Sequence, residues 1–580
     1  MKSSLDSRFF SRFYPVCVAL VLLFLAGCKA PERMADRLAE PEPPGQEFRG
    51  AWVATVVNLD WPASGTRTVA EQKRDAVELL DSLNAIGINA VLLQVRAEAD
   101  ALFASSYDPW SYWLTGEQGR APDPFYDPLS FFIREAHRRG MELHAWLNPL
   151  RVERYRNGYA LSGNNISRRE PGWVLVFESD ELVRYTMLDP GLPEVRDYIS
   201  SVVTDIIRRY DVDGIHFDDY FYPYTPAVSG EDSLTFLRHD RGHRDIHEWR
   251  RDNINRLVAQ VHDSIQALAP HVSFGISPFG IRKNSDAGTN GFEGYHGLYA
   301  DAEAWLDQRI IDYIAPQLYF EPGHEKADYA RLLHYWSDLA DVHGRHLYVG
   351  LSPYRMMPPF DWSTEQAAEQ LFLNRDNDRV QGNIYFRATH LLEDPKGYTR
   401  MIRDKLHRNP ALTPSMPWKS RIAPPPVDEV FVSRSGDGRV ILTWNRPQGY
   451  GVHETPARYA VYRIGPGSQE YEWLEAWNST LPRNRDSETG HETGKHHRVD
   501  RIDVGNMNRN RRGGNDIDDA MRESVVSVRN RVEVTGRREF EDRRMMSRCG
   551  DNVRPTFFVI TAVSRNSIES EPVIVRLACE

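Results

Sequence analysis

The residues best suited to chemistry lie in the segment Asp213–Tyr220. Its apolar residues alternate as in a buried strand, so Asp218 would emerge where that strand ends. A carboxylate there can act as the nucleophile or stabilise an oxocarbenium-like centre in glycoside hydrolysis. His216 could hydrogen-bond to this carboxylate, and Asp219 could raise its proton affinity. The alternative is structural: two Asp residues that cap the following loop by accepting backbone N–H groups.

Glycoside hydrolysis normally needs a second carboxyl group, roughly 5–5.5 Å away in retaining enzymes and roughly 6.5–9.5 Å away in inverting ones. The candidates are Glu98, Asp100, Asp219 and Glu321. Glu98 and Asp100 lie beside Arg96, so a salt bridge that fixes the loop competes with a catalytic role. The sequence therefore leaves the general acid open.

Further polar and aromatic side chains recur near the ends of the predicted strands, where they would be costly in an ordinary core. Aromatic rings can stack on sugar faces, and amide or guanidinium groups can bind hydroxyl or acetamido groups. We therefore predict substrate binding by Trp61, Gln94, Arg96, His144, Trp146, Asn148, Arg151, His216, Tyr220, Gln317, Tyr319 and Tyr354.

Three of these candidate residues offer an alternative as metal ligands. Neutral imidazole with carboxylate suits zinc or manganese, and the ligands would be His144, His216 and Asp218. They lie on separate predicted strands, however, and no short metal-binding motif joins them. The sequence also lacks a glycine-rich phosphate loop. We expect neither a metal ion nor another cofactor.

A repeating architecture must position these residues. From residue 48, short β-rich runs alternate with amphipathic helical patterns. Eight such units predict an α/β fold, a (β/α)8 TIM barrel whose strands all direct their C-terminal ends to one site. A doubly wound open sheet is the alternative. The predicted strands span residues 48–56, 88–97, 141–149, 212–220, 272–279, 311–320, 346–354 and 380–389.

A second domain follows the predicted barrel, which we place at residues 47–410. The run Ala423–Pro426 is typical of a linker, and strand-like segments follow it. They predict a fibronectin type III-like β-sandwich over residues 423–580, with Trp444 in its core. Residues 466–553 have few apolar side chains and are typical of a disordered insertion. Cys549 and Cys579, which come late in this domain, could form a disulfide or remain two free thiols.

The N-terminus has the pattern of a secreted lipoprotein. Basic residues precede a short apolar run, which predicts a signal peptide over residues 1–27. Leu25-Ala26-Gly27-Cys28 resembles a bacterial lipobox, in which Cys28 is lipidated; an ordinary signal peptide beside a chance cysteine is the alternative. Residues 28–46 would form a tether. Because Lys29 replaces the Asp that favours the inner membrane, we expect lipid anchoring at the periplasmic face of the outer membrane, in the cell envelope.

Composition excludes two broad classes. The chain has 580 residues, of which 41% are hydrophobic, so it can form more than one core and is not mainly disordered. Its 71 Lys and Arg against 82 Asp and Glu give a net charge of −11. We therefore expect no nucleic acid partner.

Six ordered blocks resemble the glycoside-hydrolase-like family 10, over about residues 47–405. They are Phe48-Arg49-Gly50-Ala51-Trp52-Val53-Ala54-Thr55, Leu59-Asp60-Trp61-Pro62, Gln94-Val95-Arg96, His144-Ala145-Trp146-Leu147-Asn148-Pro149, Asp213-Gly214-Ile215-His216-Phe217-Asp218-Asp219-Tyr220 and Ile314-Ala315-Pro316-Gln317-Leu318-Tyr319. The resemblance implies a TIM barrel distantly similar to the α-amylase clan. It also implies activity on peptidoglycan glycan strands that lack stem peptides.

In the α-amylase clan the strand-four Asp is the nucleophile, which corresponds to Asp218. This chain departs from that pattern at two points: His216 replaces the clan's Arg, and Ser277–Gly280 offers no counterpart of its strand-five Glu. The resulting hypothesis is a lipid-anchored glycoside hydrolase in which Asp218 attacks or stabilises the anomeric centre. Asp219 or Glu98 would be its general acid.

Two alternatives to this hypothesis remain open. The missing strand-five acid favours a non-catalytic, glycan-binding wall tether. Hydrolysis of another polysaccharide is the second, because aromatic platforms and hydrogen-bonding groups suit most sugars. The membrane would be contacted through the lipid anchor alone, and the sequence identifies no protein partner.

Overall fold

The computed structural model describes residues 43–178, 184–435, 439–447, 455–480, 501–502, 526–527, 531–542 and 555–577. The predicted signal peptide, Cys28, the tether up to residue 42, and the cysteines at 549 and 579 lie outside these ranges. Within the described part of the chain, no helix is long and apolar enough to cross a membrane.

Eight parallel strands close into a barrel, which confirms the predicted (β/α)8 architecture. In chain order, the first eleven strands are β1 (Phe48–Val53), β2 (Ala90–Arg96), β3 (Glu142–Leu147), β4 (Arg151–Glu153), β5 (Val174–Glu178), β6 (Arg184–Leu188), β7 (Gly214–Phe217), β8 (Ser273–Ile276), β9 (Tyr313–Ile314), β10 (His346–Leu351) and β11 (Gly382–Tyr385). The barrel order is β1-β2-β3-β7-β8-β9-β10-β11, and β11 pairs with β1 to close it. Strands β4 to β6 form a small antiparallel sheet in the connection after β3.

Helices of varied length connect the strands, and the side chains at their N-termini explain where several begin. Thr68 and Glu71 form a capping box at the first helix, and Asp127 caps the third. The helices are α1 (Val69–Ala85), α2 (Tyr112–Thr115), α3 (Pro128–Arg138), α4 (Ile166–Arg169), α5 (Pro193–Arg209), α6 (Ser233–His239), α7 (Ile246–Leu268), α8 (Asn284–Ala287), α9 (Gly294–Gly297), α10 (Ala302–Asp307), α11 (Tyr329–His343), α12 (Thr364–Arg375), α13 (Ala388–Leu392) and α14 (Tyr398–Met401).

Large rings fill the barrel interior. Phe48 stacks on Tyr348 with ring centroids 4.0 Å apart, and Tyr313 lies 4.8 Å from Tyr348. Gly275 on β8 makes room for this packing, because a Cβ atom there would lie only 2.0 Å from Cζ of Tyr313. The interior is therefore a packed core, and a ligand can enter only at the ends of the strands.

The chain after the barrel forms two antiparallel sheets that share a core. Trp444 lies in that core, 2% exposed, as predicted. One sheet is β12 (Asp428–Arg434), β13 (Val440–Asn445) and β17 (Glu539–Asp542). The other is β14 (Arg458–Ile464), β15 (Arg501–Ile502), β16 (Arg531–Thr535), β18 (Thr556–Val563) and β19 (Val573–Leu577). We refer to these two sheets as the C-terminal module.

The disordered insertion predicted over residues 466–553 is wrong for four segments. Gln469–Thr480 is a helix, α15, and β15, β16 and β17 are strands of the two sheets. Strands such as β17 are polar because their side chains alternate between the core and the solvent, as Phe540 among acidic neighbours illustrates. The other residues of this range lie almost entirely outside the described part of the chain.

The C-terminal module binds the barrel at the N-terminal ends of its strands. Glu142, which begins β3, accepts a hydrogen bond of 2.9 Å from Arg458 of β14. Asp213, just before β7, receives Arg565 at 3.4 Å. Burial opposes the ionisation of Glu142, but Arg458 and a hydrogen bond from a neighbouring histidine hold the pKa of this carboxyl below its ordinary value. Arginine side chains of the module thus neutralise acidic groups at the N-terminal ends of the barrel strands, which we call the foot of the barrel.

Substitution of Arg458 tests this contact. Arg458→Met leaves the buried Glu142 carboxylate without its cation, so we expect the free energy of unfolding to fall by about 3–5 kcal/mol. The control is Arg576→Met, which breaks the half-exposed pair with Glu475 and should cost less than about 1 kcal/mol. Both values come from chemical denaturation. Equal losses in the two variants would contradict a special role for the Arg458 contact.

Candidate active site

A cavity of about 360 Å³ opens at the C-terminal ends of the barrel strands, where the TIM-barrel prediction places the site. Residues from the ends of all eight barrel strands and from the loops that follow them form its wall. They are Trp52, Ala54, Val56, Leu59, Gln94, Trp146, Asn148, Arg151, Arg154, Asp218, Asp219, Tyr220, Ser277, Gln317, Tyr319, Tyr354 and Phe386.

Asp218 follows β7 immediately and is 4% exposed. Its Oδ2 accepts hydrogen bonds from Trp146 Nε1 at 3.0 Å and Asn148 Nδ2 at 2.7 Å. Its Oδ1 accepts a longer bond of 3.4 Å from the backbone N–H of Tyr220. Burial, and then the charge of Asp219, raise the pKa of Asp218 to about 7. This carboxyl group therefore changes its charge near neutral pH.

Asp219 lies beside it and is equally buried. The Tyr224 hydroxyl donates to its Oδ2, and Gln317 also hydrogen-bonds to it. Burial raises the pKa of Asp219 to about 6, although these hydrogen bonds and the charge of Arg151 oppose the shift. The cavity thus holds two adjacent carboxyl groups that both titrate close to neutrality, an arrangement typical of acid–base chemistry.

The positive charge of Arg151 acts on both carboxyl groups, because it lowers the pKa of Asp218 and of Asp219. Its Nε donates to the carbonyl of Ala97 at 3.1 Å, and its guanidinium lies 5.1 Å from the ring centre of Tyr220. The buried guanidinium therefore helps to stabilise negative charge on carboxyl groups that are themselves buried.

Arg96 and Gln94 act on the backbone around the cavity. Arg96 donates to the carbonyls of Asn148 and Pro149 at 2.8 and 3.0 Å and pairs with Asp108 at 2.8 Å. It does not line the cavity; it fixes the loop that carries Asn148. Gln94 does line the cavity, but its amide oxygen accepts the backbone N–H groups of residues 55 and 56. Both residues support the site through the main chain.

Two further predicted residues lie outside the cavity. Trp61 is 1% exposed, packs edge-on against Phe132 of α3 and donates to a backbone carbonyl, so the prediction that it stacks on sugar is wrong. Glu98 accepts hydrogen bonds from Trp113 Nε1 at 2.9 Å, from Tyr159 and from the backbone N–H of residue 154. Its carboxylate holds loops together and does not face the cavity.

His144 and His216 lie below the cavity floor, inside the barrel. The Trp52 indole donates to His216 Nε2 at 3.1 Å, because an indole N–H can only donate. His216 Nδ1 must then donate to the Tyr313 hydroxyl at 3.0 Å, and that hydroxyl to His144 Nδ1 at 2.9 Å. The direction of every bond follows from the first. We call these four residues, with Glu142 at the end, the barrel relay.

The barrel relay ends in an ion pair. His144 Nε2 faces Glu142 Oε2 at 3.2 Å, so it donates to the carboxylate that Arg458 holds from the other side. Burial lowers the pKa of His216 well below its ordinary value, which keeps this ring neutral and its tautomer fixed. The two histidines therefore support Trp52 from below and have no free access to substrate.

The structure does not bring the three proposed metal ligands together as a site. The nitrogens of His144 and His216 are used within the barrel relay, and Asp218 is held by Trp146 and Asn148. Among the residues that the structure describes, no group of three or more His, Cys, Asp or Glu side chains is arranged to hold a metal ion.

Sequence reasoning missed part of the cavity wall. Trp52 and Phe386 occupy strand positions where an apolar side chain is indistinguishable from ordinary core. Ser277 ends the fifth barrel strand, and its hydroxyl is buried without a hydrogen-bond partner in the described structure. Arg154 was missed because its sequence neighbours carry no signal. Tyr224, which donates to Asp219 from a loop but is not part of the wall, was missed as well. Tyr319 and Tyr354 do line the wall, with ring centroids 6.1 Å apart.

Paired buried carboxyl groups, aromatic rings and hydrogen-bonding side chains at the C-terminal mouth of a closed parallel barrel define a TIM-barrel protein of the glycan-processing class. The chain belongs to the family described as Glycosyl hydrolase-like 10, whose family model matches residues 47–367. The resemblance predicted from the six sequence blocks is thereby confirmed.

Two relatives in sequence agree with this assignment. The chain is 38% identical over 432 residues to Glycosyl hydrolase YngK of Bacillus subtilis (strain 168), covering 72% of this chain and 83% of that protein. It is 36% identical over 409 residues to Glycosyl hydrolase DigH of Escherichia coli (strain K12), covering 65% and 92%. A distant structural likeness is to the PgaB (BpsB) glycoside hydrolase domain from Bordetella bronchiseptica, with 14% identity, coverage of 63% and 99%, and a TM-score of 0.39.

The barrel relay can be tested by removing one hydroxyl group. Tyr313→Phe leaves Nδ1 of His144 and Nδ1 of His216 without a hydrogen-bond partner, so we expect the free energy of unfolding to fall by about 1–3 kcal/mol. Tyr385→Phe is the matched control, because the Tyr385 hydroxyl is equally buried and has no hydrogen-bond partner in the described structure. A cost for Tyr385→Phe as large as that for Tyr313→Phe would contradict the relay.

Proposed function

We propose that this protein is a glycoside hydrolase that cleaves glycan strands, with peptide-free peptidoglycan of the cell envelope as its substrate. The observation that carries the proposal is the pair of buried, adjacent carboxyl groups, Asp218 and Asp219, in a cavity lined by aromatic rings. Glycosidic bond cleavage needs one carboxyl group that gives a proton to the leaving oxygen and one that stabilises positive charge at the anomeric carbon.

The hydrogen-bond donors around the pair support a division of roles. The groups that contact Asp218 are N–H donors, namely the Trp146 indole, the Nδ2 group of Asn148 and the Tyr220 backbone, so they favour the ionised form of Asp218. Asp219 accepts from the Tyr224 hydroxyl, which can also act as an acceptor, so Asp219 can carry a proton. In this proposal Asp219 delivers the single proton that the coupled pair shares near neutral pH and Asp218 is the carboxylate, even though burial raises the pKa of Asp218 further than that of Asp219. Glu98, with its oxygens bound to loops, is no longer a candidate acid.

The substrate and location rest on sequence patterns. The lipobox-like sequence at Cys28 and the following tether support lipid anchoring in the envelope, at the periplasmic face of the outer membrane. A tethered enzyme can reach the wall, and the family resemblance favours strands without stem peptides. The shared core of its two sheets, with Trp444 inside it, supports a fibronectin type III-like fold for the C-terminal module.

A second candidate function is non-catalytic glycan binding. It is favoured by the end of β8, where Ser277 stands instead of an acid. A wall tether would need the aromatic lining of the cavity but not the carboxyl groups. Hydrolysis of a different polysaccharide is a further option, which the products would reveal.

An assay of glycan-strand degradation distinguishes between these functions. Incubated with amidase-treated, peptide-free glycan strands, the protein should release soluble sugars, and Asp218→Asn should lower kcat by about 100-fold or more. Asp189→Asn is the matched control: Asp189 is buried, with a pKa raised to about 6 by burial, but lies outside the cavity wall. Full activity in Asp218→Asn would refute its role. Tight binding without any release of sugars would establish the tether.

The pH dependence follows from the carboxyl pair. Because the two groups interact, the values of about 6 and 7 belong to the pair, which holds one proton between those pH values. We expect a bell-shaped profile of kcat/KM with its maximum between pH 6 and 7.

Arg151→Gln should move this profile. It removes a cation that lowers both pKa values, so both limbs shift to higher pH by about 1 unit. The control is Arg154→Gln, which removes a cation of the same cavity wall that is not among the main causes of either shift. An unshifted profile for Arg151→Gln would contradict the electrostatic coupling.

A further inference from the structure

The cavity offers two carboxyl groups and no third. Among the described residues of its wall, only Asp218 and Asp219 carry one. Nearby acids are committed elsewhere: Asp60 accepts Arg387 at 2.7 Å and the backbone N–H of residue 54 at 2.8 Å, and Glu321 accepts Gln366 at 2.9 Å. Every carboxylate available for catalysis therefore comes from two consecutive residues.

Consecutive residues approach a substrate from one side. Their Cα atoms are about 3.8 Å apart, and both follow the same strand, β7. In an ordinary double displacement the general acid and the nucleophile flank the bond that breaks. Across the barrel, the wall contributed by β1 and β11 and the loops that follow them consists of Trp52, Ala54, Val56, Leu59 and Phe386. That apolar side holds neither a nucleophile nor a base.

Asp218 is arranged to accept an N–H group from a ligand. Its Oδ2 is saturated by two side-chain donors, whereas its Oδ1 has only a bond of 3.4 Å from Tyr220. Asn148 adds a second acceptor: its Oδ1 is buried, lacks a hydrogen-bond partner in the described structure and belongs to a residue of the cavity wall. Buried acceptors left without a donor are costly, so a ligand donor is expected here.

An apolar surface adjoins these acceptors. Trp146 donates to Asp218 and belongs, with Trp52 and Ala54, to one buried apolar cluster that reaches the cavity wall. The barrel relay holds Trp52 through its indole N–H. A ligand group with an N–H beside a small apolar end would satisfy both features, and a 2-acetamido group on a sugar is such a group.

We propose that the sugar bound at Asp218 carries a 2-acetamido group and that the carbonyl oxygen of this group, rather than a protein carboxylate, is the nucleophile. The inference rests on the proposed hydrolase function and deepens it by assigning the nucleophile to the substrate itself. Asp218 accepts the acetamido N–H and stabilises the positive charge that develops on the group. The methyl lies against Trp52 and Trp146.

The chemical steps balance as follows. The acetamido oxygen forms a bond to C1 while the glycosidic C1–O bond breaks, and its electron pair leaves with the departing oxygen, which takes the proton of Asp219. The product is a cyclic oxazolinium ion paired with Asp218. Water then attacks C1 and gives its proton to Asp219, while the C1–O bond of the ring opens. This restores the acetamido group and the acid.

The test changes only the acyl group of the substrate. Peptide-free strands are chemically de-N-acetylated and then re-acylated with either acetyl or trifluoroacetyl groups, and kcat/KM is measured with the full chain. Trifluoroacetyl should lower kcat/KM by about 100-fold or more, because its carbonyl oxygen is a weak nucleophile. A thiazoline derived from N-acetylglucosamine, which mimics the cyclic ion, should bind about 100-fold more tightly than N-acetylglucosamine itself.

Variants connect this result to the named residues. Asp218→Asn should lose most of the preference for the thiazoline over N-acetylglucosamine, measured by calorimetry, because the charge that stabilises the cyclic ion is gone. Asp189→Asn should keep it. Calorimetry needs no turnover, so inactive variants remain informative, and their thermal unfolding reports whether they are folded.

The outcomes distinguish the two proposals. Cleavage of both acylated strands at similar rates, or a glycosyl adduct on the peptide that contains Asp218 by mass spectrometry, would overturn the acetamido mechanism and leave the hydrolase standing. Failure to cleave even the acetylated strands would remove both the hydrolase and this inference.

Discussion

Two carboxyl groups buried side by side at the end of one strand impose the constraint on which this site depends. Isolated charges are strongly disfavoured away from water, so Asp218 and Asp219 persist only because donors and a cation surround them. Asn148 and Arg151 supply part of this environment. Arg96 in turn holds the backbone carbonyl of Asn148. Many of the polar side chains around the cavity therefore stabilise the negative charge of these buried carboxyl groups.

Hydrogen bonds between polar groups continue from the cavity into the interior of the barrel. Instead of layers of aliphatic side chains, its centre contains rings connected by hydrogen bonds that all run in one direction, from Trp52 to Glu142. Each donor in such a chain depends on the acceptor below it. Hydrogen bonds consequently connect the cavity floor to an ion pair at the opposite end of the barrel. There Arg458 of the C-terminal module donates to Glu142, the last residue of the barrel relay.

Sequence periodicity could predict the barrel, because alternating strands and helices reflect local burial. The rule that functional residues follow strand ends located Asp218, Asp219 and Asn148. The same rule failed for Trp61 and Glu98, since some polar or aromatic residues at strand ends face the cavity and others bond to a neighbouring loop. The orientation of such a side chain depends on the residue that it contacts. Trp61 packs on Phe132 and Glu98 accepts from Trp113, and both of these partners come from other segments of the chain. Local patterns carry no information about them.

The ion pairs at the foot of the barrel have an evolutionary consequence. Removing one partner of a buried ion pair is costly, so a domain boundary that contains such pairs opposes the exchange of one domain without the other. Here a barrel transplanted without its C-terminal module would carry Glu142 and Asp213 with their arginine partners removed. The two parts of this chain are therefore expected to be inherited together, and a change at position 458 should be accompanied, among descendants, by a compensating change at position 142.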